Sequence, residues 1–358
     1  MNFNWAKIKK YAETHERHVS IGSVLFGFLF DSLTLGRPDQ LFNNVVFVAY
    51  LSVSAMAIIL LSVYHRRRLT APSYILPIMQ FSFGNLAGGM FVVYGQSGTF
   101  EGSALFFLML LVFIIGNELA RNYYARLSFH VSTWFFLLFA YLSIIVPIFL
   151  GRVGTIVFLT SGLISLAVVA GLLWLLKKIS EERVVLARKQ NIFFISGIFL
   201  VFNFLYFANI IPPVPLSLTN IGIYHSIRKN SDGTYSARYE KPKWYEFGKN
   251  TSATFTVLKG NSAYCFSSVF APTGLRTGIR HRFEKYDESS KKWKTKSLIP
   301  FPILGGRGNG YRGYTIESNM TAGKWRCGVE TSYGAVIGRN TFNVVISNNK
   351  IGLQDIDL

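Results

Sequence analysis

The loop LGGRGNGYRGY, residues 304–314, is the richest chemical signal in the sequence. Its glycines allow backbone angles that other residues avoid, and Arg307, Tyr311 and Arg312 could line a shallow site for an anion or a sugar. No Gly-Lys-Ser or Gly-Lys-Thr follows, so the loop does not match a phosphate-binding P-loop. The alternative interpretation is a hairpin or bulge with an exposed basic rim.

His281 and Trp325 complete the set of candidate binding residues, although the patterns around them indicate that both face a core. His281 alternates with Ile279 and Phe283, which favours a structural histidine. No Ser-His-acid set, paired carboxylates or Cys-His couple occurs at an informative spacing. We therefore predict no catalytic residues.

Cys265 and Cys327 are the two cysteines of the chain. An exported domain would permit a disulfide between them. Cys327 shares the inward face of Trp325, whereas Cys265 lies opposite the aromatic face formed by Tyr264 and Phe266, and a bridge requires both sulfurs in one gap. We expect two buried free thiols, with the disulfide as the alternative.

A second set of polar side chains, Gln80, Asn85 and Asn203, lies deep within apolar segments. Polar groups at mid-depth are costly in a bilayer and are suspected of function by default. Gly84 and Gly88 form a small-xxx-small face beside them, which favours close helix packing with amides bonded across the interface. The alternative is a polar cavity for a lipid or a small solute.

We predict no metal site and no cofactor. Four histidines fall at or near a predicted membrane boundary, but they lack the ligand spacing of a known metal chemistry. They are His15, His18, His65 and His130.

The elements that carry these residues are unusually apolar. Of the 358 residues, 50% are hydrophobic and 15% are charged, which is too apolar for an ordinary soluble protein. Roughly 20 apolar residues cross the hydrocarbon of a bilayer. We predict a transmembrane domain over 19–211 with seven spans, at 19–36, 41–64, 73–94, 102–120, 127–150, 153–176 and 191–211.

Basic residues are distributed unevenly over the connections between these spans. Fourteen Lys and Arg fall in the N-terminal segment 1–18 and in alternate loops, against Arg37 and Arg152 in the others. This bias predicts a cytoplasmic N-terminus. Seven crossings then place the chain after residue 211 outside the cytoplasm.

The pattern changes after the last span. Prolines within 212–219 predict a stiff linker, and short β-rich segments over 220–358 predict an all-β Ig-like sandwich. Tyr333 and Gly334 should turn the last two strands into a hairpin. The expected strands are 221–228, 233–239, 253–259, 263–270, 277–286, 293–303, 311–317, 324–331 and 335–346.

The net charge of +19 divides between these two parts. Sixteen of the 37 basic residues belong to the membrane part, while the tail from residue 212 carries 21 basic and 10 acidic residues. Such a tail suits anionic glycans, lipid head groups or an acidic protein surface. Outside the cytoplasm, nucleic acid is not an expected partner.

Three runs of the tail carry a family resemblance: CFSSVFAPTGL, GGRGNGYRGYT and GKWRCGVETSYGAVIGRNTF, with His281-Arg282-Phe283 between the first two. They resemble the C-terminal domain of an uncharacterised bacterial family, a domain of unknown function attached to multi-pass membrane segments. The resemblance covers roughly residues 261–346, and Phe283 stands where we expect that family to have Trp. It implies a bacterial inner-membrane protein with an exported β-domain, and it supplies no activity, catalytic residue or cofactor.

We therefore expect a non-enzymatic, multi-pass inner-membrane protein whose basic periplasmic β-domain binds a partner protein or an anionic cell-envelope polymer. A sensory role and an assembly role are both open. The alternative is a membrane transporter or lipid-modifying enzyme with its site around Gln80, Asn85 and Asn203. The lipid bilayer is the partner common to both hypotheses.

Overall fold

The computed structural model describes residues 39–119, 126–246, 250–258, 261–272, 274–304, 310–347 and 352–358. They form two compact units. The helical unit contains the long apolar helices. The β unit contains the C-terminal strands together with the connections Gln96–Ser103 and Pro147–Gly154.

Six helices are described where seven spans were predicted, and the first predicted span, 19–36, lies outside the described residues. Five of the six are long and apolar enough to cross a membrane, and in α3 the described apolar stretch is Gly102–Phe113. The chain thus has the helices of a multi-pass membrane protein. The helices are α1 (Leu41–Arg66), α2 (Ile75–Gly95), α3 (Phe100–Leu119), α4 (Leu127–Leu150), α5 (Thr155–Ile179) and α6 (Glu181–Phe207).

Helix α6 corrects the predicted boundary of the last span. The charged run EERVVLARKQ, predicted to be a connector before residue 191, is the first part of this helix. The run contains no Gly or Pro, and Glu181 and Glu182 lie in the first turn, where carboxylates stabilise the positive end of the helix dipole. The helix ends at Phe207, ahead of the prolines.

Aromatic side chains hold the helical unit together. The Phe139 ring of α4 stacks on Phe202 of α6, with ring centroids 4.6 Å apart. Gly162 of α5 lies against the same group of rings, and a Cβ there would meet Phe199 at 2.9 Å and Phe139 at 3.0 Å. A residue without a side chain at 162 therefore permits this close contact of α5 with its neighbours.

Eleven strands are described in the β unit. They are β1 (Ser217–Tyr224), β2 (Ser226–Lys229), β3 (Tyr235–Tyr239), β4 (Thr254–Val257), β5 (Ala263–Phe270), β6 (Arg276–Asp287), β7 (Lys292–Leu304), β8 (Tyr311–Glu317), β9 (Gly323–Thr331), β10 (Val336–Ile346) and β11 (Gln354–Asp357). They form a three-stranded sheet, β1-β5-β8, a five-stranded sheet, β4-β10-β9-β6-β7, and a second three-stranded sheet, β11-β3-β2. The predicted hairpin is β9-β10, with Gly334 at a positive φ of 96° in its turn.

The β1-β5-β8 sheet packs on both of its faces. Toward the five-stranded sheet it contributes Ile223 and Cys265 to a core with Phe283, Trp325 and Phe342. On its other face a second core joins it to the small sheet, and the members of that core are Tyr224, Ile227, Tyr235, Ala237 and Phe266. Because both faces are covered, seven of the eight residues of β5 are buried.

This arrangement gives a β-rich region, as predicted, but the Ig-like sandwich is not confirmed. A two-sheet sandwich has its core between the two sheets, whereas here the described residues of the β1-β5-β8 sheet are packed against buried side chains on both faces. Strand β4 also pairs parallel with β10, and β11 was not predicted at all.

Candidate ligand-binding face

The outer side of β6 and β9 is charged because the two strands alternate. Ile279 and Phe283 of β6 point into the core, so Arg280, Arg282 and Glu284, at the positions between or next to them, point away from it. On β9 the same alternation places Lys324, Arg326 and Glu330 on the outer side, where Lys324 is exposed and the Arg326 side chain is 13% exposed, while it buries Trp325, Cys327 and Val329. We call the outer side of β6, β7 and β9 the basic face.

Two arginines share one carboxylate near the middle of the basic face. Arg282 donates from Nε to Oε2 of Glu330 at 2.9 Å and from Nη2 to Oε1 at 2.8 Å, and Arg280 Nε also donates to Oε1. The Glu330 hydrogen bond raises the pKa of Arg282. Only 5% of the Glu330 side chain is exposed. Two guanidinium groups on one buried carboxylate leave one positive charge in excess at the surface.

Aromatic rings lie beside the remaining cations. The Arg326 guanidinium carbon is 4.2 Å from the centroid of the Trp293 ring on β7, while Arg326 Nε donates to Glu284. Lys324 Nζ lies 5.7 Å from the centroids of both Trp293 and Tyr286. Cations this close to an aromatic ring are attracted to it, which holds long side chains in place.

A groove of about 390 Å³ opens at the end of this face, beside the turn between β6 and β7. Four lysines and two acidic residues line it, and one acid, Asp287, is ion-paired with Lys294. Hydrogen bonds from Lys294, then from Ser289 and Ser290, hold the pKa of Asp287 well below its usual range. The lining residues are Lys285, Tyr286, Asp287, Glu288, Lys294, Lys296, Ala322, Gly323 and Lys324.

The basic face carries an excess of positive charge. On the outer side of β6 and β9, four basic side chains, Arg280, Arg282, Lys324 and Arg326, lie with two acidic ones, Glu284 and Glu330. Lysine and arginine donate hydrogen bonds and attract anions, but they do not exchange protons near neutral pH. These cationic side chains can therefore hold an anionic group by charge and hydrogen bonds.

The predicted binding residue His281 lies in the core. It is fully buried, with Nε2 2.7 Å from Ser267 Oγ and Nδ1 2.8 Å from Thr315 Oγ1. Burial lowers the pKa of His281 to about 3, so the ring is neutral. His281 thus links β6 to β5 and β8 across the main core and has no access to a ligand on the basic face.

Cys265 and Cys327 form a disulfide, with their Cα atoms 6.6 Å apart, so the expectation of free thiols was wrong. That expectation treated the aromatic side of β5, which includes Phe266, as its only buried face. Because both faces of β5 are covered, Cys265 points into the main core, where Cys327 of β9 also points. The two sulfurs and one ring nitrogen of His281 lie within 4.8 Å of one another.

The other predicted binding residues lie in separate places. Trp325 is 2% exposed, and its Nε1 donates to the Thr321 carbonyl at 2.7 Å. Tyr311 packs against the core beneath β5, and Arg312 donates to the carbonyl of Leu358 at 2.9 Å. Arg307 lies outside the described residues. These side chains do not form one site within the described part of the chain.

The three intramembrane amides are on α2 and α6. Asn85 Nδ2 donates to the Phe81 carbonyl at 2.7 Å, and Asn203 Nδ2 donates to the Phe199 carbonyl at 2.8 Å. Each of these bonds stays within its own helix, whereas bonds across a helix contact were predicted. Gln80 is half-buried on α2. The geometry described for Asn85 and Asn203 assembles no shared polar site.

Sequence reasoning did not select Trp293, Lys324 or Glu330. A signal for them was present in the strand alternation, because KWR in β9 and RHRFE in β6 place charges on one side of neighbouring strands. The register of β6 against β9 determines that Arg280 pairs with Glu330 and Glu284 with Arg326. The sequence of either strand alone does not determine its register against a strand distant in the chain.

A family described as "Protein of unknown function (DUF2914)" matches residues 276–344, a segment that contains β6, β7, β8, β9 and most of β10. The predicted resemblance of the C-terminal region to a domain of unknown function is thus confirmed. No curated protein matches the chain.

Two solved structures show a weak likeness. A β-glucosidase from Listeria innocua in complex with gluconolactone is 11% identical with a TM-score of 0.19, over 35% of this chain and 16% of the glucosidase. The Pseudomonas fluorescens alkylpurine DNA glycosylase AlkC, bound to DNA containing an abasic site analog, is 10% identical with a TM-score of 0.22, over 86% of this chain and 99% of that chain. These scores are too low to indicate a shared fold.

Proposed function

We propose that this chain is a bacterial inner-membrane protein that presents the β unit in the periplasm and binds an anionic cell-envelope polymer on its basic face. The observation that carries the proposal is the ordered array of Lys324 and Arg326 beside Trp293 and Tyr286, next to a groove lined by four lysines. Cations held against aromatic rings suit repeated anionic sugar or phosphate units, since each unit can meet both a charge and a ring.

A polymer fits this face better than a compact protein partner. The cationic groups extend along strands β6 and β9 and continue into the groove, so an extended ligand can contact them in succession. The transporter or lipid-modifying alternative lacks comparable support, because Asn85 and Asn203 bond to their own helices.

The orientation rests on the uneven loop charges. Fourteen basic residues lie before the first predicted span or next to alternate ends of the predicted spans, against two at the opposite ends, and this bias favours a periplasmic β unit. Alkaline phosphatase fused after Leu358 should be active in the periplasm. Activity of a cytosol-restricted reporter at the same position would contradict the orientation while leaving the ligand question open.

Binding is tested with the full chain in nanodiscs and three probes: polyphosphate, polygalacturonate and neutral dextran. We expect both polyanions to bind, dextran not to bind, and affinity to fall as salt rises. Replacing Lys285, Lys296 and Lys324 by Gln should weaken polyanion binding by about tenfold, since exposed charge pairs contribute about 0.2–1 kcal/mol each.

The matched control removes three exposed charges elsewhere on the β unit. Arg228 and Lys229 lie on β2 and Lys241 follows β3, so their replacement by Gln changes the net charge equally. The control should bind like the unaltered protein. An equal loss in both variants would mean that net charge, rather than the basic face, attracts the polymer.

A further inference from the structure

A cavity of about 520 Å³ lies within the helical unit, among α3, α4 and α6. Its walls combine aromatic rings, hydroxyl groups and two basic side chains. The lining residues are Phe113, Arg126, Ser128, Phe129, Ser132, Thr133, Lys189, Gln190, Phe193, Phe194 and Ile198. Neither the basic face nor the predicted amide set includes any of these residues.

The polar side of the cavity favours an anion. Arg126 and Lys189 line it, and no acidic residue is among the lining residues. Arg126 directly precedes α4, whose first turn carries the positive end of the helix dipole and has no acidic side chain to neutralise it. Ser128 Oγ donates to Gln190 Oε1 at 2.8 Å, which ties the start of α4 to α6 at this point.

A buried hydroxyl group marks the same cavity. Ser132 is 8% exposed, and its Oγ has no hydrogen-bond partner among the described residues. An unsatisfied hydroxyl in an apolar surrounding costs free energy comparable to a lost hydrogen bond. A bound ligand with acceptor oxygens would satisfy it.

The other walls of the cavity are apolar and continue to the surface of α6. Phe129 and Phe113 line the inside, while Phe193 and Phe194 are 72% and 45% exposed on a helix long and apolar enough to span a membrane. A ligand that fills this space must therefore have an anionic, oxygen-rich end and a hydrocarbon end.

We propose that the cavity binds an acidic phospholipid of the surrounding bilayer, with its phosphodiester between Arg126 and Lys189. Basic pockets between membrane helices bind such head groups, and acidic phospholipids reach a site on the lipid-facing side of α6 without leaving the membrane. The Ser132 hydroxyl donates to a head-group or ester oxygen, and an acyl chain lies along Phe193 and Phe194. This site is independent of the polymer bound by the β unit.

The experiment uses the full chain in nanodiscs that contain equal amounts of phosphatidylglycerol and phosphatidylcholine, with lipids counted by native mass spectrometry. We expect retained phosphatidylglycerol to exceed phosphatidylcholine. Each basic side chain near a membrane surface contributes about 1 kcal/mol. Arg126→Gln with Lys189→Gln should therefore lower the preference by about thirtyfold.

The control replaces two basic residues of the same membrane side that do not line the cavity, Lys177→Gln with Arg188→Gln. The control should retain the preference for phosphatidylglycerol. A third variant, Ser132→Leu, fills the cavity while both cations remain, and it should also lose the preference. If Ser132→Leu does not fold, the comparison of the Arg126 and Lys189 variant with its control tests the proposal without it.

Three results would overturn the proposal. One is an unchanged preference in the Arg126 and Lys189 variant, and another is an equal loss in the control, which would indicate attraction of lipid by overall charge. The third is release of bound phosphatidylglycerol by inorganic phosphate at low concentration, since the site would then recognise free phosphate rather than a lipid.

Discussion

His281 should make the β unit less stable as the pH falls. The folded protein keeps this side chain neutral between Ser267 and Thr315, with a pKa of about 3, whereas an unfolded histidine titrates near its ordinary value of about 6.5. Between these two pH values the unfolded chain binds a proton that the folded chain does not. Stability is therefore fully present above about pH 6.5 and is lost progressively as the pH falls toward 3.

The magnitude follows from the two pKa values. Proton linkage over the two pH units from about 6.5 to 4.5 amounts to about 2.7 kcal/mol of unfolding free energy. This loss is a large part of the stability of an ordinary domain, which is about 5–15 kcal/mol.

The assay is urea unfolding of the full chain in detergent, followed by near-UV circular dichroism at pH 7 and pH 4.5, for the unaltered protein and His281→Gln. Glutamine can hydrogen-bond to both hydroxyls and does not titrate. His225, which lies 3.0 Å from Glu240, is present in both proteins, so any contribution from it cancels in the difference.

We expect the unaltered protein to lose about 2.7 kcal/mol more than His281→Gln on acidification. The variant should be the less stable protein at pH 7, because the imidazole packing is lost, and the gap should narrow at pH 4.5. Parallel losses in the two proteins would refute the reasoning, since they would mean that the folded and unfolded states titrate this histidine alike.

Three further predictions test the packing. Replacing both Cys265 and Cys327 by Ala should destabilise the β unit by about 4 kcal/mol, because the disulfide closes a long loop between residues with a sequence separation of 62. An unchanged midpoint of urea unfolding would contradict this prediction. Gly162→Ala should lower the thermal stability of the helical unit by about 1–3 kcal/mol, because its Cβ would meet Phe199 at 2.9 Å; Gly171→Ala, with nothing within 4 Å, is the matched control. Trp293→Ala should weaken polyanion binding severalfold in the nanodisc assay, because the ring that holds Lys324 and Arg326 in place is lost, and each cation–ring contact contributes about 0.5–1 kcal/mol. The control Trp244→Ala removes an exposed Trp outside the basic face and should bind normally.

The local sequence pattern was sufficient to predict most of the helices and strands. Strands β5 and β8 occupy the predicted residues 263–270 and 311–317, and α4 occupies the predicted 127–150. These elements follow from the period of apolar residues and from the Gly and Pro residues between them, which are properties of neighbouring residues. The start of α6 was missed because its charged first turns read as a solvated connector, although nothing in EERVVLARKQ interrupts a helix.

The candidate sites depend on contacts that local pattern does not contain. From alternation alone, Cys265 and Phe266 must point to opposite sides of β5, and the sequence determined this much. Only the tertiary structure decided that both sides are buried, so that Cys265 meets Cys327 in one core and Phe266 packs in the other. In the same way, the sequence determined that Arg280 and Arg282 point outward, while strand register decided that they share Glu330. The physical reason is the distance along the chain over which each property is determined. Side-chain direction alternates between neighbouring residues of a strand, whereas the partner of each face depends on how strands distant in the sequence pack together.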